Sequence, residues 1–350
     1  MEQTTSPARE SAPLFNHIVE RHYRPVYDRL RLILMFLMCI KLSDSTSDFG
    51  ALVQTISGFS TVAFYIFSGY LVLRKSPNRP QRILRTIRRS AVVFAALAVF
   101  YFIVNFFYYR HIGADLASDL TGRRVWFDFL VLNLWPLKIG SAIWYVQAYL
   151  YAYVILYFLE KWKLLRYDWL IASVLLVFTV MTGELSGVIK WNILGHSYLP
   201  GCFLTRALPY ILLGRFMRRN MYILDNILLR HCILGIVCGI ALMTIELYLL
   251  GILNVAGYYG HLIGMALTAF SVCLIAFQNA DNEKMLFESG RFIALSRWHI
   301  NSIYYLFQPV SLLLTLLNGS SYKAIGLATF LVCFVIGLPI SLFGDDKKRR

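Results

Sequence analysis

Charge is scarce in this sequence. Only 15% of its 350 residues are Asp, Glu, Lys or Arg, where a water-soluble domain carries about a quarter. That shortage excludes an ordinary hydrated surface. Cysteine is equally uninformative as a framework: the six cysteines at 39, 202, 232, 238, 273 and 333 form no CxxC pair and no Cys/His set at zinc spacing, so neither a disulfide scaffold nor a metal site is implied. There is no GxSxG, HExxH, P-loop or GxGxxG, so the local motifs of soluble enzymes are missing. No repeat with a period of 20 to 50 residues and no low-complexity stretch divides the chain. Residues 1–28 are mixed and polar and lack the apolar stretch and small-residue cleavage site of a secretory signal.

What is present is apolar sequence in long runs. Hydrophobic residues make up 58% of the chain and the mean hydropathy is +0.59. Ten segments have the composition of membrane-spanning helices, at roughly 29–43, 50–74, 90–109, 139–159, 168–186, 202–217, 231–251, 258–277, 300–317 and 323–343; the first and sixth are short for a hydrocarbon layer about 30 Å thick. The expected fold is all-α, a polytopic integral membrane protein of about ten transmembrane helices. The apolar piece 125–135 carries Asp128 and is only eleven residues long, so it reads as an interfacial or re-entrant helix.

Orientation follows from the basic residues, which collect in cytoplasmic loops. With the amino terminus inside, 26 of the 34 Lys and Arg fall in segments on the cytoplasmic side and six on the outer side, with Lys41 and Arg206 left within spans. An eleventh span at 125–135 would destroy this asymmetry. Both termini are therefore expected in the cytoplasm, with 1–28 an amino-terminal segment, 29–343 the transmembrane domain and 344–350 a basic tail. The net charge of +15 is accounted for by basic loops facing anionic lipid. The lipid bilayer is the expected partner, and nucleic acid is not.

Within this frame a few residues could carry chemistry. The run from Arg74 to Arg89 holds seven basic residues in sixteen. Arg82, Arg85, Arg88 and Arg89 recur at three- and four-residue spacing, which on a helix gives a cationic face suited to a phosphate-rich cytosolic ligand; orientation and lipid contact would use the same residues. Lys41, near the outer end of the first span, is either functional or a snorkelling side chain paired with Asp44 or Asp48. Arg206 offers the same choice between an anion or substrate contact and snorkelling. Of the seven histidines, His261 stands out, because it follows the loop signal Gly257-Tyr-Tyr-Gly260 and enters the eighth span in its first turn. The fourth span carries Trp144-Tyr145 and then Tyr149, Tyr151, Tyr153 and Tyr157. An aromatic belt at the interface uses such residues, yet phenols continuing to membrane depth need polar partners, which points to a cavity.

Five fragments in order resemble the acyltransferase-3 family, ten-span bacterial membrane proteins that acylate cell-surface polysaccharides, peptidoglycan and some small molecules. Arg31 opens a first span similar to the family's Leu-Arg opening. Phe67-Ser68-Gly69-Tyr70-Leu71 resembles the end of its second span, and the Arg82 to Arg89 cluster lies where the family has an arginine-rich turn. Ile143-Trp144-Tyr145-Val146-Gln147-Ala148-Tyr149-Leu150 and Leu208-Pro209-Tyr210-Ile211-Leu212-Leu213-Gly214 resemble two further family motifs. The resemblance covers residues 27 to 343. It implies transfer of an acyl group of acetyl size from cytosolic acyl-coenzyme A to a hydroxyl of a glycan or similar acceptor, at the bacterial inner membrane. Arg31, Arg82, Arg85, Arg88 and Arg89 would then hold the coenzyme, while Trp144, Tyr145, Tyr149, Arg206 and Gln308 would face the acceptor; no metal is implied.

The sequence departs from the family at both of its histidines. Eleven residues after Arg31 stands Leu42, and the family's Tyr-Leu-x-His-Pro is here Tyr305-Leu306-Phe307-Gln308-Pro309. Glutamine hydrogen-bonds but is no base, and leucine does neither. Either the base has moved, to Lys41 or His261, or the chain keeps the fold as a transporter, sensor or binding partner without transfer.

Overall fold

Helices form along the apolar runs, with three departures that bear on the site. The computed structural model describes residues 25–42, 48–73, 79–131, 133, 135–182, 202–252, 262–279, 300, 302–314 and 328–336. Among them the secondary structure is helical, with no strand. In chain order the helices are α1 Pro25–Leu42, α2 Asp48–Ile56, α3 Phe59–Val72, α4 Arg79–Ile112, α5 Leu116–Leu120, α6 Arg123–Leu130, α7 Ser141–Lys161, α8 Asp168–Thr182, α9 Phe203–Arg206, α10 Leu208–Arg219, α11 Met221–Leu224, α12 Leu229–Ile252 and α13 Ile263–Gln278, followed by α14 Ser302–Leu314 and α15 at 328–336.

The first departure is α4, whose 34 residues begin at Arg79, so the helical arginine run and the apolar segment expected at 90–109 are one continuous helix. Its third turn already carries Arg89. The second is the segment 50–74, which breaks at Ser57-Gly58 between α2 and α3; a Cβ at Gly58 would stand 2.8 Å from the Thr55 carbonyl oxygen and 2.7 Å from the flexible end of Met265 on α13. The third is the segment 202–217, divided at Ala207, where Pro209 in the first turn of α10 starts a new helix without a lost donor. The piece 125–135 is helical only through the eight residues of α6, too short to span. Gln147 Nε2 donates to Phe129 O at 2.7 Å, holding the α6 tail on α7.

Polar contacts pair the ends of neighbouring helices. Arg79 at the start of α4 meets Glu160 at the end of α7 at 3.0 Å. Gln278 at the end of α13 donates to Leu224 O and Ile227 O beside the start of α12, at 2.7 and 2.9 Å. At the opposite end, Lys41 Nζ donates to Thr61 Oγ1 at 3.2 Å, joining the end of α1 to the start of α3. There too the Glu246 carboxylate accepts from Ile263 N and Gly264 N at 3.1 and 3.3 Å, satisfying the orphan donors that open α13. The long helices therefore alternate in direction between a basic end, marked by Arg79, and an opposite end, marked by Lys41.

Among the described residues four helical stretches are long and apolar enough to cross a membrane: Leu52–Val72, Arg79–Ile112, Leu164–Met181 and Leu229–Ile252. They are not equivalent. Two-thirds of the first is buried within the bundle (67%), against 22%, 22% and 17% of the others, so α3 is the central helix and α4, α8 and α12 form the periphery. On α4 the exposed residues Val92, Val99, Ile103, Phe106 and Phe107 are almost all apolar, as are Ile233, Leu234, Val237, Ile245 and Leu249 on α12. Faces of this kind suit lipid and not water.

Lipid supplies no hydrophobic force between helices, so close backbone approach has to hold them. Glycines provide it at two seams. A Cβ at Gly69 of α3 would strike Ile211 O of α10, and one at Gly214 of α10 would strike Ile66 O of α3, a reciprocal contact that fixes the central pair. Between α12 and α13, Gly235 lies against Ser271, Gly239 against Thr268 and Gly264 against the Gly239 carbonyl. Gly235 and Gly239 are four apart and share one helix face.

Candidate functional site

A cavity of about 360 Å³ lies between α1, α3, α4, α7 and α14. Its size falls at the small end of ligand pockets. The wall contains Arg31 from α1, Ser68 from α3, Arg89 from α4, Tyr145 and Tyr149 from α7 and Tyr305 from α14, set among apolar side chains. Among the described residues of the wall there are two arginines and no Asp or Glu. The helices explain the placement. Arg31 and Arg89 lie in the turns of α1 and α4 nearest the basic end, and Tyr145 and Tyr149 are four residues apart on the inward face of α7.

The tyrosines form a continuous wall. Tyr145 stacks on Tyr65 with centroids 4.7 Å apart and meets Tyr149 at 6.4 Å and Tyr304 at 5.5 Å; Tyr149 continues to Tyr153 at 4.5 Å. Phenols at this depth need partners, and Ser68 supplies them. Its hydroxyl donates to Tyr149 Oη at 2.9 Å and pairs with Tyr153 Oη at 2.7 Å. Arg31 lies over the Phe67 ring at 4.7 Å, and its charge reaches Tyr145 and Tyr149. The cavity thus joins guanidinium groups near the basic end to a hydroxyl-bearing aromatic floor.

Of the residues expected to bind a coenzyme, Arg31 and Arg89 line this cavity, while Arg82, Arg85 and Arg88 do not; all four arginines of α4 are exposed. Rotation accounts for Arg88, about 100° away from Arg89, whereas Arg85 and Arg82, four and seven residues before it, share its side of α4 and lie about 6 and 10 Å nearer the helix start. Of the expected acceptor residues, Tyr145 and Tyr149 are on the wall. Trp144 is not: its ring carries the Arg206 guanidinium at 4.9 Å, toward the Lys41 end. Gln308 is occupied elsewhere, its Oε1 accepting from Gly140 N at 2.8 Å where α7 begins. This glutamine caps a helix at the position where the family has a histidine.

Lys41 does not line the cavity; it lies beyond the tyrosine wall, within electrostatic reach of Arg206. His261 lies outside the described residues. Ser68, Tyr65 and Tyr305 were not legible as site residues in the sequence, although Tyr65 and Ser68 share one helix face, and that spacing was the available signal. Among the described residues no group of His, Cys, Asp or Glu could hold a metal ion.

The chain matches no family model, no curated protein and no solved structure.

Proposed function

We propose that the chain crosses the bacterial inner membrane ten times with both termini in the cytoplasm, and moves an acyl group from cytosolic acyl-coenzyme A to a hydroxyl of a cell-envelope glycan or related acceptor. The observation that carries this reading is the cavity, whose wall brings Arg31 and Arg89 together with the Tyr145 and Tyr149 phenols. The basic end, by its excess of Lys and Arg, is the cytoplasmic one. Arg31 and Arg89 suit phosphate oxygens, and Arg82 continues their line toward solvent. The apolar remainder of the cavity suits the thioester arm.

In the transfer step the acceptor oxygen attacks the thioester carbonyl, a C–O bond forms, the C–S bond breaks, and the sulfur leaves as thiolate. The hydroxyl proton passes to a base and then to the thiolate. Phenols on the cavity wall can donate to the carbonyl oxygen as its charge develops. Lys41 and His261 are the two candidates for the base.

One observation favours a second reading, binding without transfer. Gln308 is spent on Gly140 N, and Leu42 stands where the family's other histidine would be.

Titration calorimetry of the detergent-purified chain with acetyl-coenzyme A separates these outcomes. Binding should weaken by at least about tenfold in Arg31→Gln/Arg89→Gln and by less than about twofold in Arg88→Gln. Absence of binding by the folded wild-type chain would overturn both the coenzyme site and the transferase. Binding with no release of coenzyme A in the presence of envelope glycans would establish the second reading.

A further inference from the structure

The turn between α7 and α8, at the basic end of the bundle, exposes aromatic and basic side chains together. Trp162, Tyr167 and Trp169 are exposed, and interleaved with them are Lys161, Lys163 and Arg166, exposed as well. Residues Leu164–Tyr167 form a single 3-10 turn that Lys163 directly precedes, so Lys163 and Arg166 lie within one turn of each other. Arg166 stands over the Tyr167 ring at 4.5 Å. Arg219 of α10 joins them, donating from Nη1 to Arg166 O at 3.2 Å. The carboxylates that flank the turn are engaged inward, Glu160 with Arg79 and the buried Asp168 with Arg215 and Arg219. The outer surface of the turn is therefore cationic.

Three features separate this turn from a basic loop that only meets solvent. Trp and Tyr favour the headgroup level of a bilayer, whereas residues 79–89 of α4, with five arginines, contain no aromatic side chain. Below the turn, Leu170, Val174 and Val177 are exposed at i, i+4 and i+7 on α8, an apolar stripe about 10 Å long within the candidate span Leu164–Met181. Cations above an apolar stripe match the outline of an anionic phospholipid in charge and in polarity. Lys163 also has φ +58°, just past the end of α7, where glycine is the usual residue; the chain places a cation at this strained position instead.

We infer that Lys163, Arg166 and Arg219 hold the phosphate of an anionic phospholipid whose acyl chain lies along the exposed stripe of α8. Arg219 also meets Asp168 at 2.8 Å, so the bound headgroup is tied to the junction of α8 and α10 and stabilises it. The lipid site is separate from the cavity and does not depend on acyl transfer.

The test is lipid retention by native mass spectrometry, with thermal melting of the full chain in nanodiscs of phosphatidylglycerol or phosphatidylcholine. Phosphatidylglycerol should be retained in preference to phosphatidylcholine and should raise the melting midpoint. One cation at a membrane surface is worth about fivefold in affinity for anionic lipid, so Lys163→Gln and Arg166→Gln should each lower phosphatidylglycerol affinity by about that factor. Arg85→Gln/Arg88→Gln, which removes two cations from α4, should leave the preference in place. Lys163→Gly separates binding from folding: glycine accepts the positive φ, so melting in phosphatidylcholine should hold or rise while the preference for phosphatidylglycerol still falls. Equal retention of the two lipids overturns the inference. So does an equal loss in the α4 variant, which would reveal diffuse attraction to any basic residue. Stabilisation reproduced in detergent by glycerol 3-phosphate alone would make the turn a site for a soluble phosphate ester and overturn the lipid assignment.

Discussion

The basic end of the molecule uses arginine in two ways. In the clamp where α4, α7, α8 and α10 meet, every cation has a carboxylate at hand. Arg79 meets Glu160 at 3.0 Å, and Arg215 and Arg219 share Asp168 at 3.3 and 2.8 Å. In the adjoining cavity Arg31 and Arg89 line a wall in which no described residue is Asp or Glu. Burial differs as well, since Asp168 and Arg215 are buried whereas Arg31 is half-buried and Arg89 exposed, so what marks the clamp is a carboxylate seated among its guanidinium groups. Charge count alone, which both regions share, would not distinguish them.

The largest way to break the comparison is to remove the anion of the clamp. Asp168 is fully buried and Arg215 nearly so, at 8% exposed, and Asp168 also accepts from Trp169 N at 2.9 Å. In Asp168→Asn both guanidinium groups lose their counter-charge, and breaking a buried pair in this way costs about 3–5 kcal/mol. Thermal melting in detergent should show a large drop, with the surviving folded fraction still binding acetyl-coenzyme A as the wild type does. A variant that melts normally but loses the coenzyme would mean that the clamp, and not the cavity, holds the ligand.

A smaller effect is expected on the cavity side from Ser68→Ala. The Ser68 hydroxyl is the shared partner of Tyr149 and Tyr153, so its loss should cost about 1–3 kcal/mol for the buried phenols left short of a partner. Here the order of readouts reverses. Melting should shift less than in Asp168→Asn, while coenzyme-dependent turnover should fall more, because the tyrosine wall loses the contact that sets its angle. Unchanged turnover with a lowered melting midpoint would make the wall a structural stack.

Much of this arrangement could be read from the sequence, and the part that could not has a common cause. Apolar runs marked α1, α7, α8, α12 and α13 to within a few residues, since helix-length apolar segments are a local property. A cavity beside the α7 tyrosines was legible because phenols at membrane depth need polar partners. The arginine run was legible as a helical face leading into the third span, but its place on one 34-residue helix with that span was not, because the apolar window begins only at residue 90. The contacts that decide roles are long-range: Gln308 reaches Gly140 across 168 positions, and Lys41 meets the field of Arg206 from a different helix. Side-chain spacing along one helix carries no information about either.

The Arg79–Glu160 pair should give the smallest effect and the finest test of the contrast. One nitrogen, Arg79 Nη1, donates to both carboxylate oxygens at 3.0 and 3.1 Å, and the two side chains are 14% and 18% exposed. That is drier than a surface pair but wetter than Asp168. Arg79 makes other interactions in the structure and its charge also reaches Arg215, so Arg79→Gln alone mixes several effects. A double-mutant cycle with Glu160→Gln isolates the pair. A coupling of about 1 kcal/mol or less is expected, shrinking with added salt. A coupling near the buried-pair range, insensitive to salt, would show that the clamp is sealed from water along its whole length. The nearby cavity would then be the route by which solvent and a charged ligand reach the basic end.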